Sequence, residues 1–420
     1  MAESPVKGKK ERILIIGGSS AAISAVEAIR SRDGETEVTM VTKEKHLPYT
    51  PTVLPYFVKG KVDEKNLFLR ERNFFEEEKI TLVSGDEVIA VDPVGRKVFT
   101  KSGRHFDFDK LLIATGAIPI VPHINGANHE RAVVFRTVED AKKIRDLSEK
   151  AEKVSILGAG LVGMQLAETL SENGVKVIVI ESEGQILPRN YDKSCAEMIE
   201  KIFTDRGIEI LTHCRAISLE PAEGGISVLL DNGRTVSSDF LVLGIGTRPA
   251  IDFIKESGIA YSKGILVDDF MRTNYPDIYA AGDVAEAKDF FGAEKILNQL
   301  LPDAVEQGKI AGLNMLGEEL RYEGGISMTT FNFFDSTAFS MGIIHEQPNK
   351  HVTYRETSLE KRDYKKLVFD GDRLVGAIFL NKNVSISLLV NYVKKKIDYP
   401  LRKEEIDSDF ETIIKSYIVQ

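Results

Sequence analysis

Of the 420 residues only two are cysteine, Cys195 and Cys214, and none is tryptophan. The cysteines cannot form a CxxC redox pair. No Cys/His cluster has the spacing of a zinc or iron–sulfur ligand set, and the seven histidines are scattered, so no metal site is expected. Cys195 falls in a helical pattern and Cys214 at the end of an apolar strand. Both read as structural thiols of a reducing cytosol, so a cytoplasmic protein is expected. No apolar run reaches membrane-spanning length. The lead, Met1 to Glu11, is polar and Lys-rich and has no apolar stretch before the first strand, unlike a secretory signal. A net charge of −9 argues against nucleic acid as a partner. The composition, 43% hydrophobic and 28% charged, is that of an ordinary globular chain. Its length suggests about three domains.

What the chain does have is two strand–turn–helix units of the same kind. Arg12 to Ile16 reads as a buried strand, Ser20 to Arg32 as a helix, and Glu37 to Val41 as the next strand. The second unit runs from Val154 to Glu181, with a helix from Leu161 to Asn173 closed by Gly174 as a left-handed cap. Between them lie a Pro/Tyr-rich loop from Leu47 to Tyr56, expected to be stiff and non-helical, and short strands from about Lys79 to Phe108. A further helix starts near Pro302. From about Gly325 the pattern turns to strands, and a basic helix from Val384 to Lys396 follows.

In the second unit Gly158, Gly160 and Gly163 fit GxGxxG between strand and helix. Gly158 permits the tight turn, Gly160 lets backbone approach a pyrophosphate, and Gly163 lets helix pack on strand. Leu161 and Val162 open the helix at that turn. Glu181 ends the following strand, where a carboxylate accepts from the ribose hydroxyls and repels a 2′-phosphate. Ser182-Glu183-Gly184 supplies no Arg, so the site is expected to take NAD(H), not NADP(H). In the first unit the same positions read Gly17, Ser19 and Ala22, with Gly18 and Ala21 between them. Ala is accepted in third place. Ser19 departs from the pattern, although its hydroxyl could donate to a phosphate oxygen. Thr42 stands where the ribose acid belongs, with Glu44 two residues late. On this motif alone, an occupied and an empty turn both stand.

Three more segments bear on that choice: Ala114-Thr115-Gly116 closing a strand, Gly246-Thr247-Arg248-Pro249 ending another, and Gly282-Asp283 after an apolar run. With the two turns, over about residues 11 to 320, they make the chain resemble the pyridine nucleotide–disulfide oxidoreductase family of FAD flavoproteins. The resemblance implies FAD on the first unit and NAD(H) on the second. It gives the Asp283 carboxylate to the flavin ribityl chain and the N-terminus of the helix at Ala304 to the flavin ring, and matches Val88 to an adenine-contact strand. With Pro51, these complete the expected FAD site, and Gly246 joins the NAD(H) site. The implied fold is α/β, with two Rossmann-like FAD- and NAD-binding domains and a C-terminal α+β interface domain. The boundaries are 10–120 with 245–324 for FAD, 121–244 for NAD(H), and 325–420 for the last domain.

Many members of that family carry a redox cysteine in the loop that here reads Pro51-Thr52-Val53-Leu54-Pro55-Tyr56, and Thr52 takes its place. A hydroxyl forms neither a charge-transfer thiolate nor a mixed disulfide. The flavin itself is then the expected catalytic group, with no catalytic side chain. Ferredoxin- and rubredoxin-reductase members carry a Lys shortly after this loop, where the chain has Tyr56, with Lys59 close behind. The loop and the degenerate turn resemble in particular the FAD/NADH subunits of anaerobic multi-subunit aldehyde or aryl 2-oxoacid oxidoreductases. That implies electron exchange with iron–sulfur or tungsten/molybdenum-type partner subunits. The alternatives are a self-contained NADH oxidase or coenzyme A-disulfide reductase-like enzyme, and an NADH-sensing, flavin-bound assembly protein. Lys394-Lys395-Lys396 and Arg402-Lys403 could dock an acidic partner, but a solvated face is the simpler expectation. Phe331, Asn332, Phe333 and Phe334 are expected to pack in the C-terminal sheet.

Overall fold

The computed structural model describes residues 11–292, 294–382, 384–396 and 398. Residues 1–10 of the Lys-rich lead and Arg402-Lys403 lie outside the described residues. Five described helices exceed ten residues: α1 (Ser20–Arg30), α2 (Val138–Ser148), α3 (Leu161–Glu172), α4 (Lys193–Asp205) and α5 (Leu301–Met315).

The chain divides into two compact units: residues 1–120, 136–141 and 247–326, and residues 121–135, 142–246 and 327–420. In the first, a parallel sheet runs in the order Ile80–Ser84, Glu37–Thr42, Arg12–Ile16, Lys110–Ile113, Ile278–Ala280. Its central strands are covered on both faces, which is why Ile13 to Ile16 and Leu111 to Ile113 are continuous apolar runs rather than alternating ones. The second unit repeats the plan in the order Glu209–Leu211, Lys176–Ile180, Lys153–Leu157, Phe240–Leu243, Ala132–Val134. Each unit also carries a three-stranded antiparallel sheet, between Val88 and Asp107 in the first and between Ala216 and Ser238 in the second. The α/β class is therefore established. In such sheets the carboxyl ends of the central strands, where order reverses, are the place for a ligand. Both turns sit there.

Residues from 327 form a five-stranded antiparallel sheet within the second unit, ordered Met328–Phe333, Ser336–Gly342, Arg373–Leu380, Asp363–Asp370, His351–Ser358. Phe331 and Phe333 are buried and stack on Phe203 of α4, and the Arg206 guanidinium lies 4.8 Å over Phe334. Phe331 and Phe333 are core, as expected, whereas Phe334 is only partly buried and Asn332 is exposed, because its side chain falls on the other face of the strand. The same sheet meets α4 through a buried ionic cluster. Lys366 is 0% exposed, and its Nζ donates to the Ile344 carbonyl at 2.7 Å and to Glu346 Oε2 at 2.6 Å, and lies 3.0 Å from Asp192 Oδ2. Asp192 also caps α4 by accepting from Cys195 N, and takes the Tyr364 hydroxyl at 2.8 Å. A buried ammonium with three acceptors is satisfied; losing one carboxylate would leave it short.

In the first unit, α5 packs on α1 at very close range. A Cβ added to Gly308 would fall 2.2 Å from the Ala21 carbonyl oxygen, and one on Gly312 would fall 2.6 Å from that of Ala25. Only a side chain of one hydrogen lets the backbones meet. Gly308→Ala gains up to about 1 kcal/mol in helix propensity but costs about 1–3 kcal/mol in overpacking. The variant should therefore unfold at lower denaturant than wild type in equilibrium urea titrations.

The ionic cluster predicts a pH dependence. Burial alone would raise the Glu346 carboxyl, but the hydrogen bond and charge of Lys366, with Arg355 beside it, hold it down at about 2. A carboxyl lowered on folding stabilises above its ordinary pKa and loses that contribution as pH falls to the folded value. The stability gap between wild type and Glu346→Gln should thus be full at neutral pH and close as pH falls from about 4.5 towards 2, read from denaturant midpoints.

Candidate functional site

The first turn is dictated by backbone proximity. Gly17 has φ +120°, donates from its N–H to the Val41 carbonyl at 2.9 Å, and lies so close to the next strand that a Cβ would meet Ala114 O at 2.1 Å. A chain bent this tightly delivers Ser19 as N-cap of α1, with no side chain capping the helix. The N-terminus of α5 is likewise uncapped by any side chain. One cavity lies at both ends, lined by Ser19, Ser20 and Ala21 of the turn, Thr50, Pro51 and Thr52 of the loop, and Ala114 and Gly116 of the strand end. Arg136, Ala281, Gly282, Asp283, Gln299, Leu301 and Ala304 complete it.

Sequence reasoning thus identified nine of these wall residues and missed Ser20, Thr50, Arg136, Ala281, Gln299 and Leu301. Arg136 is the chemically important omission. Its Nη2 lies 3.0 Å from Asp283 Oδ2, so the acid expected to meet a ribityl chain already holds a cation on the cavity wall. No motif marks residues 136–141. They belong to the first unit.

The other expected FAD residues stand behind the wall. Gly18 and Ala22 are in the turn and helix, and Gly18 lies against the buried Thr42 hydroxyl. The Thr115 hydroxyl donates to the Ala250 carbonyl at 3.0 Å. Val88 opens strand Val88–Asp92 and pairs with Thr100. One oxygen of Glu44 is not open to a ribose: its Oε2 accepts from the Tyr49 hydroxyl at 2.5 Å. Burial pushes this carboxyl above its ordinary range, against the pull of that hydrogen bond. Nor is the Ser19 hydroxyl free to donate to a phosphate, since it donates to the Tyr49 carbonyl at 2.8 Å. Tyr49 therefore ties the loop to the turn through its carbonyl and to Glu44 through its hydroxyl, which also accepts from Val138 N at 3.2 Å.

The Pro-rich loop also corrects an expectation. Pro51–Val53 is a 3₁₀ turn and Leu54–Val58 a short α-helix, so the segment is not non-helical. Pro51 and Pro55 sit in the first turn of each piece, where a missing N–H costs nothing and the fixed φ suits a helix.

The second turn follows the same rules with more room. Gly158 has φ +102°, and a Cβ on it would lie 2.4 Å from Gly244 O; one on Gly163 would lie 2.0 Å from Gly158 O. A Cβ on Gly160, by contrast, would meet nothing within 4 Å. Gly160 is the N-cap of α3, and no side chain caps this helix either. Leu161 and Val162 form its first turn, Val162 half-exposed, and Gly246 takes φ +113° beyond the Phe240–Leu243 strand. Glu181 ends its strand as expected. Its carboxylate is held by Ala159 N at 2.7 Å and Glu183 N at 2.9 Å, an acid fixed beside the turn.

The N-termini of α1, α3 and α5 carry no side-chain cap, which leaves N–H donors that an anionic ligand can take. Ser20 adds to this: its hydroxyl is buried on the cavity wall with no partner. A dinucleotide pyrophosphate fits both turns. The cavity offers no thiol, and both cysteines, Cys195 and Cys214, are free and buried.

Two doubly wound units with paired dinucleotide turns and a C-terminal antiparallel sheet define a flavin- and nicotinamide-dependent oxidoreductase. The chain belongs to the pyridine nucleotide-disulphide oxidoreductase family, which it matches over residues 11–308, and its residues 328–397 match the rubredoxin NAD+ reductase C-terminal domain. It is 36% identical over 395 residues to the NADH-dependent phenylglyoxylate dehydrogenase subunit epsilon of Aromatoleum evansii, covering 93% of each chain. With an NADH oxidase of Methanocaldococcus jannaschii it shares 32% identity over 74% of this chain and 71% of that one. A crystal structure of a ferredoxin reductase from Rhodopseudomonas palustris superposes with a TM-score of 0.87 at 22% identity, over 97% of this chain and 100% of that one. The family is one of FAD- and NAD(P)H-binding enzymes. Among the described residues no helix is long and apolar enough to cross a membrane.

The contrast between the glycines is testable. Gly160→Ala should melt within a degree or two of wild type yet bind NADH at least tenfold more weakly, the loss of about 1.4 kcal/mol of close contact, in a fluorescence titration. Gly17→Ala should instead lower the melting temperature.

Proposed function

We propose that this chain relays electrons between NAD(H) and a separate redox protein, with FAD in the cavity of the first unit and NAD(H) on the Gly158–Gly163 turn. The observation that carries this is the cavity wall itself, where Thr50 and Thr52 present hydroxyls, 3.0 Å apart, on a segment without a cysteine. Thiol–disulfide exchange has no nucleophile there, because both thiols are buried in the other unit and burial pushes the Cys195 thiol far above its ordinary pKa. When bound, FAD takes electrons as a hydride and can release them singly, which a nicotinamide cannot.

The protein's own groups do the rest. The N-terminus of α5 faces the cavity with its positive end and favours an anionic reduced ring. Arg136 balances the Asp283 carboxylate on the wall. Glu181, fixed beside the second turn, favours ribose hydroxyls and disfavours a 2′-phosphate, so NAD(H) is the nucleotide of choice. The relatives named as a dehydrogenase subunit and as rubredoxin reductases support a protein partner, and an iron–sulfur or tungsten/molybdenum-type subunit is the partner we favour. Two buried, unoxidised cysteines suit a cytoplasmic setting.

The FAD-loaded protein should be mixed with NADH in an anaerobic stopped-flow instrument, with and without a rubredoxin. We expect the flavin absorbance to bleach on mixing and the rubredoxin to be reduced catalytically. A flavin that stays oxidised under excess NADH refutes electron relay. Faster turnover with oxygen than with any protein carrier refutes the partner requirement and favours a self-contained oxidase.

A further inference from the structure

Behind the cavity, a chain of buried polar groups joins the Gly282-Asp283 turn to the first turn of α5. The Gly282 N–H donates to Gln307 Oε1 at 2.9 Å, and Gln307 Nε2 donates to the Tyr322 hydroxyl at 3.3 Å. The Tyr322 hydroxyl donates to Asp303 Oδ1 at 3.0 Å, and Asn298 Nδ2 donates to Asp303 Oδ2 at 2.5 Å. Gln307 is 2% exposed, Tyr322 1% and Asp303 5%. Each Asp303 oxygen thus receives a donor, the arrangement of an ionised carboxylate, which only accepts. Burial and the adjacent Asp303 charge push the Tyr322 phenol upward, so it remains the donor.

Asp303 is the third residue of α5, the helix whose residues Leu301 and Ala304 line the cavity. The carboxylate itself is not on the wall. It sits in the first turn of α5, and its charge opposes the positive helix end that the cavity sees. We propose that Asp303, screened by Tyr322 and Asn298, is a positioning residue that sets the reduction potential of the flavin by offsetting the positive end of α5. This deepens the reading above and rests on FAD occupying that cavity. A full helix end would favour the reduced, anionic ring so strongly that electrons would leave for a partner less readily. A fixed buried charge nearby restores a lower potential without touching the ring.

The tests are Asp303→Asn and Tyr322→Phe, two variants that alter the same hydrogen bond but change the charge balance in opposite senses. Flavin midpoint potentials are measured by equilibration with reference dyes on protein loaded with FAD. Asp303→Asn removes the charge and should favour the reduced form by about tenfold, a rise of about 30 mV for a two-electron couple. Tyr322→Phe removes a donor from a charge that stays, and should lower the potential. A purely structural role would move both variants in the same direction or neither. A shift of the same sign in both, or none in Asp303→Asn, overturns the proposal. Should Asp303→Asn fail to fold, Tyr322→Phe decides alone: a lowered potential supports the proposal, and a raised or unchanged one overturns it. Wild type that takes up no FAD, seen as absent flavin absorbance, refutes instead the assignment of the cavity and removes the ground of the proposal.

Discussion

The close packing of α5 on α1 is the constraint from which the first site follows. Where Gly308 meets Ala21 and Gly312 meets Ala25, two helix backbones approach as no larger side chains would permit. That contact brings two uncapped N-termini to a single cavity and sets the Gly282-Asp283 turn, whose N–H is tied to Gln307 of the same helix, against the other wall. Neither helix end alone would be a site. Placed together, their free donors and aligned dipoles create a region that water fills less well than an anion does.

The two dinucleotide turns solve the same problem with different margins. At Gly160 the space beside Cα is open. At Ser19 the equivalent position spends its hydroxyl on the Tyr49 carbonyl and so fastens the loop that carries Thr50, Pro51 and Thr52. The substitution that made the first motif look degenerate is thus a structural link between turn and loop. A glycine there would leave the loop held by fewer bonds.

Much of this was legible in the sequence because the information is local. Strand–turn–helix periodicity, the glycines at 158, 160 and 163, the left-handed cap at Gly174 and the position of Glu181 each depend on neighbours a few residues away. What was not legible depends on the approach of distant segments. Arg136 comes to the cavity from a stretch with no motif of its own, and pairs with an acid far along the chain. The Tyr49 hydroxyl that donates to Glu44 Oε2 left no mark in the spacing that offered Glu44 as a ribose acid. The prolines at 51 and 55 were read as breakers, because whether a proline starts or ends a helix depends on which residues follow it into register. One signal was visible and unread: Ala304, Gly308 and Gly312 recur every four residues, the mark of a helix face meant to be approached closely.

The cavity has a consequence for how the protein is made. Its walls come from residues near 20, 50, 115, 136, 282 and 304, so it is assembled from contacts of high sequence separation. Such contacts form late, because each closes a large loop before any neighbour can reward it. While the chain is being synthesised, the turn at Gly17 emerges early but has only one side of a binding site. The other side is encoded near the end of the family's shared region. The cavity therefore cannot close before α5 has been made, and the nascent first unit must wait, with its sheet edge and α1 uncovered, until that helix arrives.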